Sequence, residues 1–300
     1  MLKRGEGVLV LATMLASLGW LASKQIVAQL PATAFIGWRF LLAGGLLLLL
    51  PRCRRALQQA KASEIRKGLL LGLLLGAGLL VWVQAIIHSN RIGEGAFIAS
   101  LSLLLVPPLA WLLFGLRPSR QFWLSAPIAL LGLLALMANN GFQFESDQLW
   151  FLAAALMLSL HFTCNQRATV ALPSLASVAL QLIAGGCLGL TVAWYQGQWS
   201  LLAVPVSNEI WQWFAVSVGF ATAMRYWSQT NAQGRLTPTV AAAIMLLEPI
   251  WTLLLSLTVL HEQISPWQLG GCGLILASLL VYLLPQPAST QAVKSSIPAD

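Results

Sequence analysis

The sequence of this chain repeats itself at a fixed spacing of 141 residues. Small and conformationally special residues coincide under that shift without any gap: Ala43-Gly44-Gly45 with Ala184-Gly185-Gly186, Gly78 with Gly219, Asn90 with Asn231, Gly93 with Gly234, Pro108 with Pro249 and Gly132 with Gly273. Each copy contains five apolar segments long enough to cross a bilayer. Because five is odd, the second copy must enter the membrane in the orientation opposite to that of the first.

The composition places these segments in a membrane. Apolar residues make up 58% of the sequence and charged residues only 9%, with a mean hydropathy of +0.78. Unbroken runs of Leu, Ala and Gly favour helices over the short alternating strands of a barrel. The runs lie near residues 7–28, 33–51, 67–87, 95–115, 121–139, 148–168, 174–195, 209–231, 239–260 and 267–284. We therefore predict an all-α polytopic membrane protein, with ten transmembrane helices arranged as two inverted five-helix repeats.

The domain organisation follows from this repeat. We predict a first five-helix repeat over residues 1–139, an outer connecting loop over 140–147 and a second repeat over 148–284. The Pro- and Ser-containing segment 285–300 is predicted to be a disordered cytoplasmic tail. The first apolar segment has a counterpart at 148–168, so it is interpreted as a retained helix and not as a cleaved signal peptide.

The positive charges predict the orientation in the membrane. With the N-terminus inside, 13 of the 17 Lys and Arg residues fall on the cytoplasmic side, and Arg91 alone falls outside. This asymmetry follows the positive-inside rule, so both termini are predicted to be cytoplasmic and the chain to lie in the cytoplasmic (inner) membrane. The net charge of +8 is therefore a topology signal, and the basic loop 52–67 is interpreted as a contact for membrane lipids. No nucleic-acid partner is expected.

Several classes of chemistry lack their sequence motifs. The four cysteines show no spacing typical of disulfides or zinc, and no P-loop, HExxH or GxSxG motif occurs. Neither a metal nor a cofactor is expected, and an enzyme is disfavoured.

Charged side chains within the apolar segments require an explanation, because each costs about 2.5–3.5 kcal/mol at the centre of a membrane helix. Arg39 is either a cation that faces a cavity and attracts a carboxylate or phosphate, or a structural arginine. Arg225 aligns with Gln84 of the first copy, and together they could line a polar cavity. Glu248 is the candidate for proton coupling, although Arg225 could equally neutralise it.

Further candidates come from the polar and aromatic residues of the first, third and sixth segments. Trp20, Trp82, His161 and Asn165 could together stack on and hydrogen-bond an amino-acid-like solute. A structural hydrogen bond by His161 is the alternative. Pro108 and Pro249 occupy equivalent positions, and paired helix breaks of this kind are typical of the binding region in inverted-repeat transporters. A simple packing kink is the other interpretation.

Several ordered motifs resemble the EamA-type drug/metabolite transporter (DMT) superfamily. The second copy ends with Leu247-Glu248-Pro249, His261-Glu262 and the stretch from Gln268 to Ser278, which resembles that family's "LEP … E … Q..G…LI" ending. In the first copy, Arg39-Phe40-Leu41-Leu42-Ala43 resembles its "RFLLA" signature. The resemblance implies ten helices, a central cavity and export of small metabolites, with amino acids a common substrate class.

The sequence thus predicts a secondary active or facilitative transporter that moves a small polar, amino-acid-like solute by alternating access. The direction, export, rests on the resemblance alone. A translocase for lipids or lipid-linked sugars on the same fold is one alternative, and a membrane-embedded enzyme is another. The sequence leaves the solute, the coupling ion and the oligomeric state open, a homodimer included.

Overall fold

The structure is a computed structural model that describes residues 4–138, 145–168, 172–201, 205–233 and 244–284. Within these ranges the regular structure is helical, and no strand occurs among them. Most of the predicted connecting loop 140–147 and the predicted tail 285–300 lie outside the described residues.

The first copy forms seven helices. They are α1 (Arg4–Val27), α2 (Ala32–Leu48), α3 (Pro51–Gln59), α4 (Ala62–His88), α5 (Ile92–Ser100), α6 (Ser102–Phe114) and α7 (Arg120–Ala138). Helices α5 and α6 are separated only by Leu101 and together form one apolar stretch, Ile92–Phe114.

The second copy shows the corresponding elements wherever the structure describes it. They are α8 (Ser146–Ala168), α9 (Ser174–Tyr195), α10 (Asn208–Val218), a π-helix (Gly219–Met224), α11 (Arg225–Gln233), α12 (Leu247–Val259) and α13 (Pro266–Leu283). The π-helix joins α10 to α11 without interruption.

Six helical stretches are long and apolar enough to cross a membrane by themselves. They are Gly5–Val27, Ala62–His88, Ile92–Phe114, Ser146–Asn165, Ser174–Tyr195 and Pro266–Leu283. Helix α2 has 17 residues and ends at a sharp bend into α3, and α12 has only 13 described residues, fewer than the roughly 20 that a bilayer requires. The protein is therefore a multi-pass, all-helical membrane protein, and each of the ten predicted segments overlaps a described helix.

Local sequence signals explain where several helices begin and end. The backbone N–H of Lys61 donates to the Glu64 carboxylate (3.0 Å) at the start of α4. At the start of α13, the backbone N–H of Gln268 donates to the Ser265 hydroxyl (3.2 Å), and the backbone N–H of Ser265 donates to the Gln268 side chain (2.9 Å). Helix α6 ends at Gly115, whose φ of 70° requires the left-handed conformation that glycine adopts readily.

The most extensively packed helix pairs all join the first copy to the second. Helix α9 lies against α2 and α4, α7 against α13, α4 against α8, and α1 against α11 and α12. The core of the bundle therefore lies largely at the interface between the two copies.

Glycines permit the closest of these approaches. A Cβ atom added to Gly76 on α4 would lie 2.6 Å from the Cα of Gly185 on α9. One turn further along α9, a Cβ atom on Gly189 would lie 2.8 Å from the Cα of Gly37 on α2. Backbones in direct contact gain dispersion energy, which drives helix association where lipid removes the hydrophobic effect. Helix α9 is thus held between α2 and α4.

Candidate functional site

Trp20 and Arg225, both singled out by the sequence, bind the carboxylate of a third predicted residue, Glu248. The indole N–H of Trp20 on α1 donates to one oxygen of Glu248 (3.1 Å), and the Nη2 of Arg225 lies 3.3 Å from the other oxygen. Glu248 stands in the first turn of α12, and Arg225 is the first residue of α11. The side chains of Arg225 and Glu248 are 23% and 19% exposed, so the ion pair is only partly buried.

Aromatic rings surround this pair. The Trp82 ring on α4 packs edge-on against the Trp20 ring, with 5.0 Å between centroids, and Phe151 on α8 lies at 5.7 Å. On the other side, the Arg225 guanidinium stacks over the Tyr226 ring at 5.1 Å. We call Trp20, Trp82, Arg225 and Glu248 the central carboxylate site. It unites four of the predicted site residues, drawn from both copies.

The central carboxylate site retains unused hydrogen-bonding groups. The Nε of Arg225 and the side-chain oxygen of Gln229 are buried, and neither has a hydrogen-bond partner within the described ranges. These residues are four positions apart on α11, so they share one helix face. Buried polar groups are normally satisfied, so this donor and this acceptor are exceptions within the described ranges.

Arg39 occupies a closed polar cage next to this site. Its Nε donates to the Thr222 hydroxyl and its Nη1 to the Ser23 hydroxyl, both at 2.8 Å. The Phe35 and Phe40 rings lie 5.6 and 5.4 Å from the guanidinium carbon, and Arg39 is only 5% exposed. The cage links α1, α2 and the π-helix. This environment matches the structural interpretation of Arg39 more closely than an open cavity wall.

The π-helix sets the relation between the Arg39 cage and the central carboxylate site. The Thr222 hydroxyl donates to the carbonyl of Ser217, five residues earlier, at 2.8 Å. Thr222 precedes Arg225 by three residues, just as Trp20 precedes Ser23 on α1. On each of the two helices, a residue of the cage therefore lies about one turn from a residue of the central carboxylate site. π-Helical turns occur frequently at functional sites because they change the direction in which side chains point.

His161 and Asn165 belong to a second polar cluster, between α8 and α9. The Nε2 of His161 donates to the side-chain oxygen of Gln181 (2.7 Å), because that oxygen can only accept. The Nε2 of Gln181 donates to Asn165 (3.0 Å) and to Ser177 (2.9 Å). The two side-chain partners of Glu248 described above, Trp20 and Arg225, do not belong to this cluster. The sequence analysis missed Gln181, although an amide within an apolar segment is itself a signal.

Gln84 does not meet Arg225 among the described contacts. It lines a cavity of about 310 Å³ together with Ala32, Thr33, Ile87, Gln196 and Gln198. The Thr33 hydroxyl donates to the Gln196 side chain at 2.8 Å in the same place. The predicted pairing of Gln84 with Arg225 in one cavity wall therefore finds no support in the geometry.

The two prolines have different surroundings. Pro249 is the third residue of α12, where a missing N–H does no harm, and a turn at Leu246 precedes it. Pro108 lies inside α6 beside Pro107, seven residues after the break at Leu101. Each proline thus accompanies a break in the helix on its N-terminal side.

A dense polar network, which the sequence analysis did not predict, closes the end of the bundle at which α4 meets α5. The buried carboxylate of Glu94 accepts from the Nε2 of Gln148 (2.7 Å) and from the Nε2 of Gln268 (2.9 Å), and Arg91 lies 3.5 Å away. Arg91 also pairs with Glu145 at the start of α8. We call these five residues the Glu94 network. It ties α5 to α8 and α13.

Two further side chains hold the turn between α4 and α5. The Lys24 ammonium donates to the carbonyls of Ile86 and Ser89 at the end of α4. The Glu262 carboxylate accepts from the backbone N–H groups of Ile92 (2.9 Å) and Gly93 (3.3 Å) at the start of α5. A cation at a helix C-terminus and an anion at an N-terminus both complement the helix dipole.

Comparison with known proteins agrees with this architecture. The family model of the EamA-like transporter family matches residues 3–138 and 147–284. One solved protein crystal structure is 18% identical, covers 93% of this chain and 96% of its own chain, and has a TM-score of 0.64, so it is similar in fold. No curated protein matches the sequence. Because the family model matches both halves, the chain belongs to the EamA-like transporter family and is a membrane transporter of the drug/metabolite type.

Proposed function

We propose that this protein exports a small polar, amino-acid-like metabolite across the cytoplasmic membrane by alternating access. Membership of the EamA-like family supports transport. The single observation that carries the finer proposal is the ion pair of Arg225 and Glu248, which lies between the two copies and beside Trp20. A charged pair in a membrane interior is costly, and pairs of this kind mark solute and proton pathways.

We further propose that ten spans form two inverted five-helix repeats, with both termini in the cytoplasm. The gap-free repeat at 141 residues and the pairing of helices across the two copies support this arrangement. In this orientation the α4–α5 turn faces the outside, and α3 lies at the cytoplasmic face.

The central carboxylate site suits a zwitterionic solute. The Arg225 guanidinium can bind a carboxylate, Glu248 can bind an ammonium group, and the Trp20 and Trp82 rings can pack on an apolar side chain. Binding would separate Arg225 from Glu248 and replace one partner of each with a group of the solute. The free Nε of Arg225 and the side-chain oxygen of Gln229 add one donor and one acceptor.

Glu248 is also the proposed proton carrier. It is the acidic side chain of the central carboxylate site, and carboxylates inside membrane bundles commonly act in proton pathways. Protonation and solute binding would then compete for the same side chain, which is the simplest basis for exchange of a proton against a solute.

The Glu94 network is the proposed outer gate. It joins α5, α8 and α13 at the end of the bundle that we place outside, and Lys24 and Glu262 hold the adjoining turn. In alternating access one gate must open as the other closes, so this network must break whenever the site faces outward. Because the network is intact in the described state, we assign that state to a closed outer gate.

Flux through liposomes that contain only the purified protein tests the proposal. Labelled amino acids should exchange across the bilayer unaltered, and Glu248→Gln should remove accumulation driven by a pH gradient. The exposed Glu209 provides a charge-matched control, Glu209→Gln. Movement of labelled lipid between leaflets without amino-acid flux would instead support a lipid translocase. A chemically changed solute would indicate an enzyme.

A further inference from the structure

Helix α3 turns sharply away from the bundle. Its axis makes an angle of 88° with that of α2, so α3 runs parallel to the membrane surface if α2 crosses the membrane. Pro51 at its first position fixes the start, since proline fits the first turn of a helix and lacks the N–H that would continue the preceding one. The sequence analysis placed a loop here, because nine residues rich in Arg and Gln carry no apolar signal.

One face of α3 is seated on the protein. Cys53 is 1% exposed, Ala56 and Leu57 pack against the core, and the helix contacts α9. Burial raises the pKa of the Cys53 thiol, which makes it unreactive. Arg54 is also engaged, because its Nε donates to the carbonyl of Leu48 at the end of α2 (2.8 Å). Helix α3 is therefore held in a fixed position.

The opposite face of α3 carries unpaired positive charge. Arg52 and Arg55 are exposed, one turn apart, and neither has an ion-pair or hydrogen-bond partner in the described part of the chain. Three more exposed cations follow at the start of α4: Lys61, Arg66 and Lys67. The one acidic side chain in this segment, Glu64, accepts the backbone N–H of Lys61. The surface thus has a marked excess of positive charge.

We propose that α3 and the start of α4 form a binding surface for the phosphate groups of anionic membrane lipids. An amphipathic helix that lies in the membrane interface with arginines on its free face is suited to this role. Clusters of four to eight basic residues beside a membrane helix attract anionic lipids, and arginine binds phosphate with two parallel hydrogen bonds. Because α3 contacts α9, such lipids would stabilise the helix that joins the two copies. The proposal does not depend on the nature of the transported solute.

Lipid binding by the purified full-length protein tests this surface without any transport assay. The protein in a nonionic detergent is titrated with phosphatidylglycerol or phosphatidylcholine, and bound lipids are counted by native mass spectrometry. The variant Arg52→Gln/Arg55→Gln removes both positive charges from the exposed face of α3. Its matched control, Arg117→Gln/Arg120→Gln, removes two exposed arginines from the connection between α6 and α7. A charge-retaining variant, Arg52→Lys/Arg55→Lys, covers the case in which the glutamine variant does not fold.

We expect the α3 variant to bind phosphatidylglycerol at least tenfold more weakly, since each basic residue near an anionic surface contributes about fivefold. The control should lose less than twofold, the lysine variant should keep most of the binding, and phosphatidylcholine binding should not change. Equal losses in the α3 variant and the control would overturn the proposal. Displacement of the lipid by millimolar inorganic phosphate would also overturn it, because the site would then bind free anions.

Discussion

The indole N–H of Trp20 donates a hydrogen bond to the carboxylate of Glu248, and this bond joins the first helix of one copy to the second-to-last helix of the other. The same carboxylate pairs with Arg225. Glu248 therefore has two partners, one neutral on α1 of the first copy and one charged on α11 of the second copy, and the proposed alternating access would move the two copies relative to each other. The distance between Trp20 and Glu248 should consequently change during the transport cycle.

Replacing Glu248 tests both roles proposed for it, proton coupling and binding of the ammonium group of the solute. In Glu248→Gln the side chain keeps its size and can still accept from Trp20, but it can no longer exchange a proton. We expect pH-driven accumulation to fall at least tenfold, while solute exchange without a gradient persists at saturating solute with a raised KM, because a neutral amide attracts the ammonium group less strongly. Uptake and counterflow are measured in liposomes, with Glu209→Gln as the exposed control. A Glu248→Gln protein that still responds to the pH gradient would exclude Glu248 as the proton carrier.

The hydrogen bond from Trp20 can be isolated by a double-mutant cycle. Trp20→Phe removes the N–H and keeps an aromatic ring against Trp82. Hydrogen bonds to charged groups contribute about 1.5–3 kcal/mol. The unfolding free energy of the double variant Trp20→Phe/Glu248→Ala should therefore differ by about 1.5 kcal/mol from the sum of the two single effects. Strictly additive effects would mean that the bond does not contribute to the stability of this state.

Arg39 should matter for stability more than for solute recognition. Thr222→Val removes one acceptor from a buried guanidinium and should cost about 2 kcal/mol, whereas Thr222→Ser keeps the hydroxyl and should cost much less. Thermal unfolding in detergent provides the comparison. If Thr222→Val unfolds like the wild type but binds solute more weakly, Arg39 is part of the binding site instead.

Features within one helix or at aligned repeat positions could be predicted from the sequence, and so could the pairing of Arg225 with Glu248, because two opposite charges in apolar segments favour each other. Arg225 and Glu248 stood out because a charged group is costly in an apolar segment, and Trp20 stood out as an aromatic residue that could stack on a solute. The bounds of α9 were predicted well because its apolar run is continuous and ends at polar residues. Helix α2 is shorter than predicted because Pro51 starts a new helix in another direction.

The contacts of the Glu94 network could not be predicted from the sequence. Glu94, Gln148 and Gln268 lie in three distant parts of the chain, and each stands near the end of a segment, where polar residues are ordinary. Nothing in the spacing of these residues indicates that they meet. Likewise, Gln84 aligns with Arg225 in the repeat, but alignment by symmetry places two residues at equivalent positions and does not bring them into contact.

The contact between α4 and α9 should tolerate no side chain. A methyl group at Gly76 would collide with the backbone of Gly185, which cannot rotate away. We expect Gly76→Ala to destabilise the protein by about 1–3 kcal/mol through overpacking. Gly270→Ala on α13 is the matched control, because nothing lies within 4 Å of its Cβ position and alanine favours the helix by about 1 kcal/mol. Equal stability of the two variants, measured by thermal unfolding, would contradict the direct backbone contact.

Weakening the Glu94 network should open the proposed outer gate. In Glu94→Gln the charge is lost, and an NH2 group replaces one of the two carboxylate oxygens. An NH2 group cannot accept a hydrogen bond, so the network loses the bond from either Gln148 or Gln268. The buried Phe151, which packs on Trp20, reports access to the central carboxylate site when it is replaced by Cys in a protein without the native cysteines. We expect a membrane-impermeant maleimide applied from outside to label Phe151→Cys at least threefold faster when Glu94→Gln is also present. Glu209→Gln should leave the labelling rate unchanged, because Glu209 is exposed and its carboxylate accepts from Trp213 on the same helix. An unchanged rate in the Glu94→Gln protein would show that these residues brace the bundle without gating it.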